Sequence, residues 1–232
     1  MEYNPVPFYH TYILYDPSDV VSAACVQFSL FPIYVMVFYT SWFLVTREIQ
    51  PVITVGGHLI NELLNSVIKH SVKQPRPEFH RNFGDGSSSL SHGMPSAHSQ
   101  FMGFYASYYL CVVLLQTPCT TLHKVGMAVF LVGSSICVAF SRVYLQYHTT
   151  PQVVVGLSVG VVWGLVYFVA SSLVREVGLV DWVLSWRLVR YFSIKDSYYL
   201  CYTSFEEEAR QVEQKRHVSK RKQVRSEKTN KD

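Results

Sequence analysis

The chain has 232 residues, enough for one domain or two; 49% of them are hydrophobic and 15% aromatic. The formal net charge of +4 gathers at the C-terminus, where residues 210–232 hold nine Lys or Arg against three Asp or Glu. The five cysteines (Cys25, Cys111, Cys119, Cys137, Cys201) show neither metal-ligand spacing nor a disulfide framework. They read as small buried apolar residues.

Residues 1–19 contain three acids and no Lys or Arg, and Met1-Glu2-Tyr3-Asn4-Pro5 lacks the basic region of a cleavable signal peptide. The first apolar block then serves as a retained targeting signal. Residues 20–46, 101–119, 125–140 and 153–173 carry no charge, and residues 51–68 carry one, Glu62. A membrane-crossing helix needs roughly 20 apolar residues. The blocks therefore predict an all-α, polytopic membrane bundle of about five transmembrane helices, the fourth reaching length with its polar flanks.

The second block ends at Lys69, with Asn65 and Glu62 on the same helix face. Arg76-Pro77 follows, and Pro75 and Pro77 set an extended path there. Residues 80–94 are rich in Gly and Ser. Such a loop does not belong in hydrocarbon and is long enough to cover a site. Pro95-Ser96-Ala97-His98 opens the third block. Ser96 is a preferred N-cap, and the N–H groups of Ala97 and His98 at a helix start favour an anion. Ser141-Arg142 ends the fourth block, and His148 opens the fifth. Residues 177–187 mix Trp, aliphatics and charge, which predicts an interfacial helix, with a poor sixth span as the alternative. The basic tail reads as a solvated, largely disordered charge run.

An odd number of spans brings residues 1–19, 69–97 and 141–151 to one face. Basic residues favour the cytoplasm, so the tail is expected there and the N-terminus on the luminal or outer side. Lys69, Lys73, Arg76, Arg81 and Arg142 run against that charge rule, unless they are there to bind phosphate. The expected divisions are a luminal segment (1–19), a transmembrane domain that carries the three runs (20–175), an interfacial or cytosolic segment (176–205) and the basic tail (206–232).

Three cations, two histidines and a helix N-terminus on one face suit metal-independent cleavage of a phosphate ester or anhydride. Neutral imidazole can attack phosphorus, imidazolium can protonate a leaving oxygen, and cations stabilise the equatorial oxygens.

The three runs resemble the type 2 phosphatidic acid phosphatase superfamily, whose signature is Lys-x6-Arg-Pro, Pro-Ser-Gly-His and Ser-Arg-x5-His-x3-Asp. The resemblance spans residues 69–152. The wider strings at 93–102, 141–149 and 191–196 resemble, more narrowly, the dolichyl diphosphatases. The resemblance implies that Lys69, Arg76 and Arg142 bind phosphate and that Ser96 and the backbone of Ala97 and His98 cradle it. It also implies that His98 protonates the leaving oxygen and that His148 becomes a phosphohistidine. It further implies a polyprenyl or dolichyl diphosphate substrate, membrane lipids as surroundings, no cofactor, no metal and no nucleic acid. The implied setting is the luminal face of the endoplasmic reticulum, where the lipid carrier of protein N-glycosylation is recycled. Ala97 departs from Gly, a mild change unless the backbone needs positive φ. Gln152 departs from Asp: its carbonyl can orient His148 but brings no negative charge, unless Glu62 or another carboxylate supplies it. Two other readings stay open, a phosphatase of a different lipid phosphate and a non-catalytic lipid-binding protein.

Overall fold

The computed structural model describes residues 6–8, 13–77, 92–198 and 209–217. The chain opens with a two-stranded antiparallel ribbon, β1 (Val6–Phe8) and β2 (Ile13–Tyr15), with Pro7 opposite Leu14. Six helices follow in the bundle: α1 (Val20–Ser29), α2 (Phe31–Thr46), α3 (Gln50–Val72), α4 (Ala97–Cys111), α5 (Thr121–Tyr144) and α6 (Thr150–Glu176). Two short helices, α7 (Leu179–Leu184) and α8 (Arg187–Tyr191), come after them. Residues 209–217, within the basic tail, are helical and exposed.

Local chemistry sets the helix ends. The Asp19 carboxylate accepts the Val21 N–H at 2.9 Å and starts α1. Pro32, Pro51 and Pro151 each sit in a first turn, where a missing N–H costs no intrahelical bond. Arg47 (φ 59°) and Lys73 (φ 50°) close α2 and α3 in the left-handed conformation. A π-helical turn, Val112–Gln116, closes α4.

All five apolar blocks are largely helical, the third leaving its helix after Gln116. By length and composition three of them can cross a membrane: Val20–Thr46, which joins α1 and α2, Thr121–Tyr144 and Thr150–Glu176. The expected count of five is not reached on this measure, for two physical reasons. The 23 residues of α3 include His58, Asn61, Glu62, Asn65 and Lys69, which lower its hydropathy, and α4 has only 15 residues before its π turn. The sixth span considered for residues 177–189 is not formed. Helices of six and five residues reach only about 9 and about 7.5 Å, too short to cross.

Polarity is inverted relative to a soluble fold. Leu63 and Val162 are more than 60% exposed, while Asn65, Gln100 and Gln152 are 1% exposed or less. Polar side chains turned inward and aliphatics turned outward match a lipid surround.

The central packing is α4 on α6. Gly156, Gly160 and Gly164 form a small-residue edge at four-residue spacing on α6. A Cβ at Gly160 would lie 2.1 Å from the Gln100 carbonyl oxygen, and one at Gly156 would lie 2.6 Å from the Ser96 carbonyl oxygen. Gly103 answers from α4, where a Cβ would meet the Leu157 carbonyl at 2.5 Å. The two backbones therefore touch along three turns. At the far end, segment 192–198 returns to the α2–α3 turn: Lys195 N–H donates to Arg47 O and Ile49 N–H to Lys195 O. A buried Arg175–Asp196 pair at 3.0 Å anchors that segment to α6.

The contact predicts a sharp asymmetry among glycines. Gly160→Ala should lower the melting temperature of the purified protein in detergent and reduce its activity, by an overpacking cost of about 1–3 kcal/mol. Gly133→Ala, on α5 where nothing lies within 4 Å of the added Cβ, should leave melting unchanged or raised. Thermal unfolding of the two variants side by side checks this.

Candidate active site

The first run leaves α3 at Lys73 and becomes extended. Pro75 pairs with His92 in an isolated antiparallel bridge, and Gly93 N–H donates to Gln74 O at 2.7 Å. These contacts hold the two ends of the polar loop. Residues 78–91, which make up most of the expected cover over the site, lie outside the described residues.

The second run enters α4 through a cis Met94–Pro95 peptide. Ser96 is the N-cap residue, as expected, but its side chain does not cap the helix. Its hydroxyl accepts from Ser99 Oγ at 3.1 Å, and its N–H donates to Gln152 O at 3.1 Å. Ser96 is fully buried, so these bonds fix the turn from below. Ala97 and His98 occupy the first two helical positions, whose N–H groups have no intrahelical acceptor. Ala97 does not have positive φ, so glycine's freedom is not needed there.

The third run closes α5 and opens α6. Arg142 is buried (4% exposed); one terminal nitrogen donates to Ser29 Oγ at 3.2 Å. Its Nε is buried without a partner. An orphaned buried guanidinium N–H is costly, and an incoming anion would satisfy it. The His148 N–H donates to the Arg142 carbonyl at 3.1 Å, which ties the two residues together.

Gln152 sits at the third position of α6 and connects all three runs. Its Nε2 donates to Pro75 O at 2.9 Å and to Gln74 Oε1 at 3.4 Å. Those acceptors fix the amide, so Oε1 faces the other way. There it accepts the Thr149 N–H and meets His148 Nδ1, both at 3.2 Å. His148 must then carry its proton on Nδ1, leaving the Nε2 lone pair free for attack. A carboxylate at residue 152 would set negative oxygens against the Pro75 and Gln74 oxygens. The amide is thus the group that fits both sides.

The electrostatics follow from burial and charge. Burial first, then Arg142 and Arg76, push His148 down to about 3, while the Gln152 bond works weakly the other way. His148 is therefore a neutral imidazole at physiological pH. Burial also lowers Arg76 from its ordinary value. The charges of Arg142, Arg76 and Lys69 act on both His98 and His148, so five of the residues singled out in the sequence converge. Glu62, considered as a substitute carboxylate, is exposed, and its charge acts on Lys69.

Beneath these groups lies a set of amides that motif spacing did not reveal. Gln100 Nε2 donates to Asn61 O and Oδ1, each at 2.9 Å, and Asn61 Nδ2 donates back to Gln100 O at 3.2 Å. Asn65 Nδ2 donates to Gln100 Oε1 at 2.8 Å and Pro95 O at 3.3 Å. This clip joins α3 to the start of α4. Gly93 was also missed; a Cβ there would lie 2.7 Å from the Gln152 amide.

The PAP2 superfamily profile matches residues 50–175. A dolichyldiphosphatase of Saccharomyces cerevisiae is 46% identical over 201 residues, covering 85% of this chain and 83% of that protein. Human dolichyldiphosphatase 1 is 29% identical over 81% of this chain and 80% of its own length. The crystal structure of a transmembrane PAP2-type phosphatidylglycerolphosphate phosphatase from Bacillus subtilis shares the fold. It has a TM-score of 0.51 and 20% identity, covering 65% of this chain and 76% of that one. With its three runs, their spacing and this coverage, the chain belongs to the PAP2 superfamily.

The two-sided role of Gln152 separates two substitutions. Gln152→Ala should reduce kcat by about 10- to 100-fold with little change in KM, the scale of losing an orienting partner. Gln152→Glu keeps an acceptor for His148 but turns an oxygen toward Pro75 O. It too should lose activity, as steady-state kinetics of the two variants would show.

Proposed function

We propose that this chain is a membrane phosphatase that hydrolyses dolichyl diphosphate to dolichyl phosphate and orthophosphate. The observation that carries the reading is the His148 tautomer, set by Gln152 beside three cations whose charges reach both histidines. The substrate follows from the yeast relative and from the strings around Ser96 and His148.

In this reading the terminal phosphoryl group sits between Lys69, Arg76 and Arg142, with the Ala97 and His98 N–H groups on its oxygens. His148 Nε2 attacks the terminal phosphorus; an N–P bond forms as the bridging P–O bond breaks. His98 gives its proton to the departing dolichyl phosphate oxygen. The negative charge of the bound diphosphate opposes the three cations and lets His98 hold that proton. Water, deprotonated by His98, then attacks the phosphohistidine, the N–P bond breaks and orthophosphate leaves. The cations stabilise charge on the equatorial oxygens through both steps.

The membrane arrangement in this reading has five crossings, with α3 and α4 completing the three apolar ones. With His58, Asn61 and Asn65 turned inward, α3 is tolerated among the other helices. The pocket faces the lumen of the endoplasmic reticulum and the basic tail faces the cytosol.

The test is phosphate release by the purified full chain in detergent with excess chelator, across dolichyl diphosphate, phosphatidate and a sphingoid-base phosphate. Dolichyl diphosphate should be turned over with the highest kcat/KM, yielding the monophosphate, and His148→Ala should lose at least about 1,000-fold. Preferred turnover of phosphatidate would overturn the substrate. Full activity in His148→Ala would overturn the mechanism.

A further inference from the structure

Arg142 presents a problem of aim. A buried guanidinium carries five N–H donors in a rigid plane, and only the edge turned to the substrate can bind phosphate. One terminal nitrogen is held by Ser29 Oγ at 3.2 Å, and Ser29 in turn lies 3.1 Å from Ser141 Oγ. That bond fixes one corner and leaves the plane free to tilt. Tyr147 lies against it, with its ring centre 4.0 Å from the guanidinium carbon. Tyr147 reaches that position because Gln146 takes a positive φ of 59°, which folds the chain back on the end of α5. A non-glycine residue held there is strained, and such strain points to an enforced geometry.

Tyr147 is held in turn. Its hydroxyl oxygen accepts the Leu14 N–H at 2.8 Å, a contact between residues 133 apart. Leu14 lies in β2, opposite Pro7, which has no N–H. The ribbon is tied to the bundle nearby, where Tyr144 OH donates to Asp19 Oδ2 at 2.6 Å and Ser22 Oγ accepts the Asp16 N–H at 3.0 Å.

We propose that Tyr147 is a positioning residue that holds the Arg142 guanidinium plane toward the phosphate, and that the N-terminal ribbon, through Leu14, holds Tyr147. The inference rests on the phosphatase reading of the same pocket. It assigns a role to the chain before the first apolar block, which no phosphate motif covers. The orphaned Nε of Arg142 is the donor whose direction depends on this stack.

The experiment is a double-mutant cycle on the purified full chain, with dolichyl diphosphate as substrate and inorganic orthophosphate as competing product. Tyr147→Leu should lower kcat/KM about 10-fold and raise the orthophosphate inhibition constant by a similar factor, the scale of a lost desolvated cation–π contact. In an Arg142→Lys background, which has no guanidinium plane to orient, Tyr147→Leu should cost less than about 2-fold. Tyr147→Phe keeps the ring but loses the Leu14 bond, so it should fall between the parent and Tyr147→Leu, about 3-fold below the parent. Should Tyr147→Leu fail to fold, as read by thermal unfolding, Tyr147→Met carries the same comparison. Equal losses in the two backgrounds, or a Phe variant as impaired as Leu, overturn the proposal. A parent chain that releases no phosphate overturns the phosphatase reading instead. Turnover by the parent with an unaffected Tyr147→Leu overturns this inference alone.

Discussion

The pocket depends on two helix backbones being allowed to touch. Lipid offers no hydrophobic drive for helices to associate, so close van der Waals packing and interhelical hydrogen bonds carry that role. Gly156, Gly160 and Gly164 on α6 meet the carbonyls of Ser96, Gln100 and Phe104 on α4 at distances that exclude a side chain. Only at this separation does the Ser96 N–H reach the Gln152 carbonyl at 3.1 Å. That bond places the start of α4, with the N–H groups of its first turn, against the start of α6, with His148 just before it. The start of α4 and His148 belong to different runs, and a glycine edge sets the spacing between them.

Neutral amides do the remaining joining. Gln152 connects the path through Gln74 and Pro75 to His148, and Gln100 with Asn61 and Asn65 connects α3 to the turn at Pro95. Each is almost fully buried; Gln152, Gln100 and Asn61 both donate and accept, whereas Asn65 donates twice and its Oδ1 is buried without a partner. The paired members of such a buried network rigidify it, and the network adds no charge of its own. The network therefore leaves the field of the cations around the pocket unopposed. This accounts for Gln152 without a compensating carboxylate. His148 is held neutral by burial and by Arg142 and Arg76, and the amide needs only to hold its tautomer.

Much of this was legible in the sequence, because the three runs fall at helix ends, where spacing maps directly onto position. Lys69, Arg76, His98, Arg142 and His148 do converge, and Gln152 does meet His148 across one helical turn. The helices were legible for the same reason, as uninterrupted apolar blocks. What spacing could not show were contacts between distant segments: Gln152 with Pro75, Gln100 with Asn61, and Tyr147 with Leu14. The N-cap role expected of the Ser96 side chain failed because its hydroxyl is engaged by Ser99. Counting spans from apolar length met its limit at α3, whose Asn61 and Asn65 are polar because they serve the interior. The four-residue glycine spacing on α6 was visible in the sequence, but its meaning came only with the carbonyls opposite it.

Trapping the phosphoenzyme tests the central claim, that a neutral His148 held by Gln152 takes up the phosphoryl group. Rapid quench of the purified chain with dolichyl diphosphate labelled at its terminal phosphorus, followed by peptide mapping, locates the phosphate. The account predicts an acid-labile, base-stable phosphohistidine on His148, formed more slowly in Gln152→Ala and absent in His148→Ala. Label on His98, or turnover with no phosphoenzyme at any quench time, would contradict it.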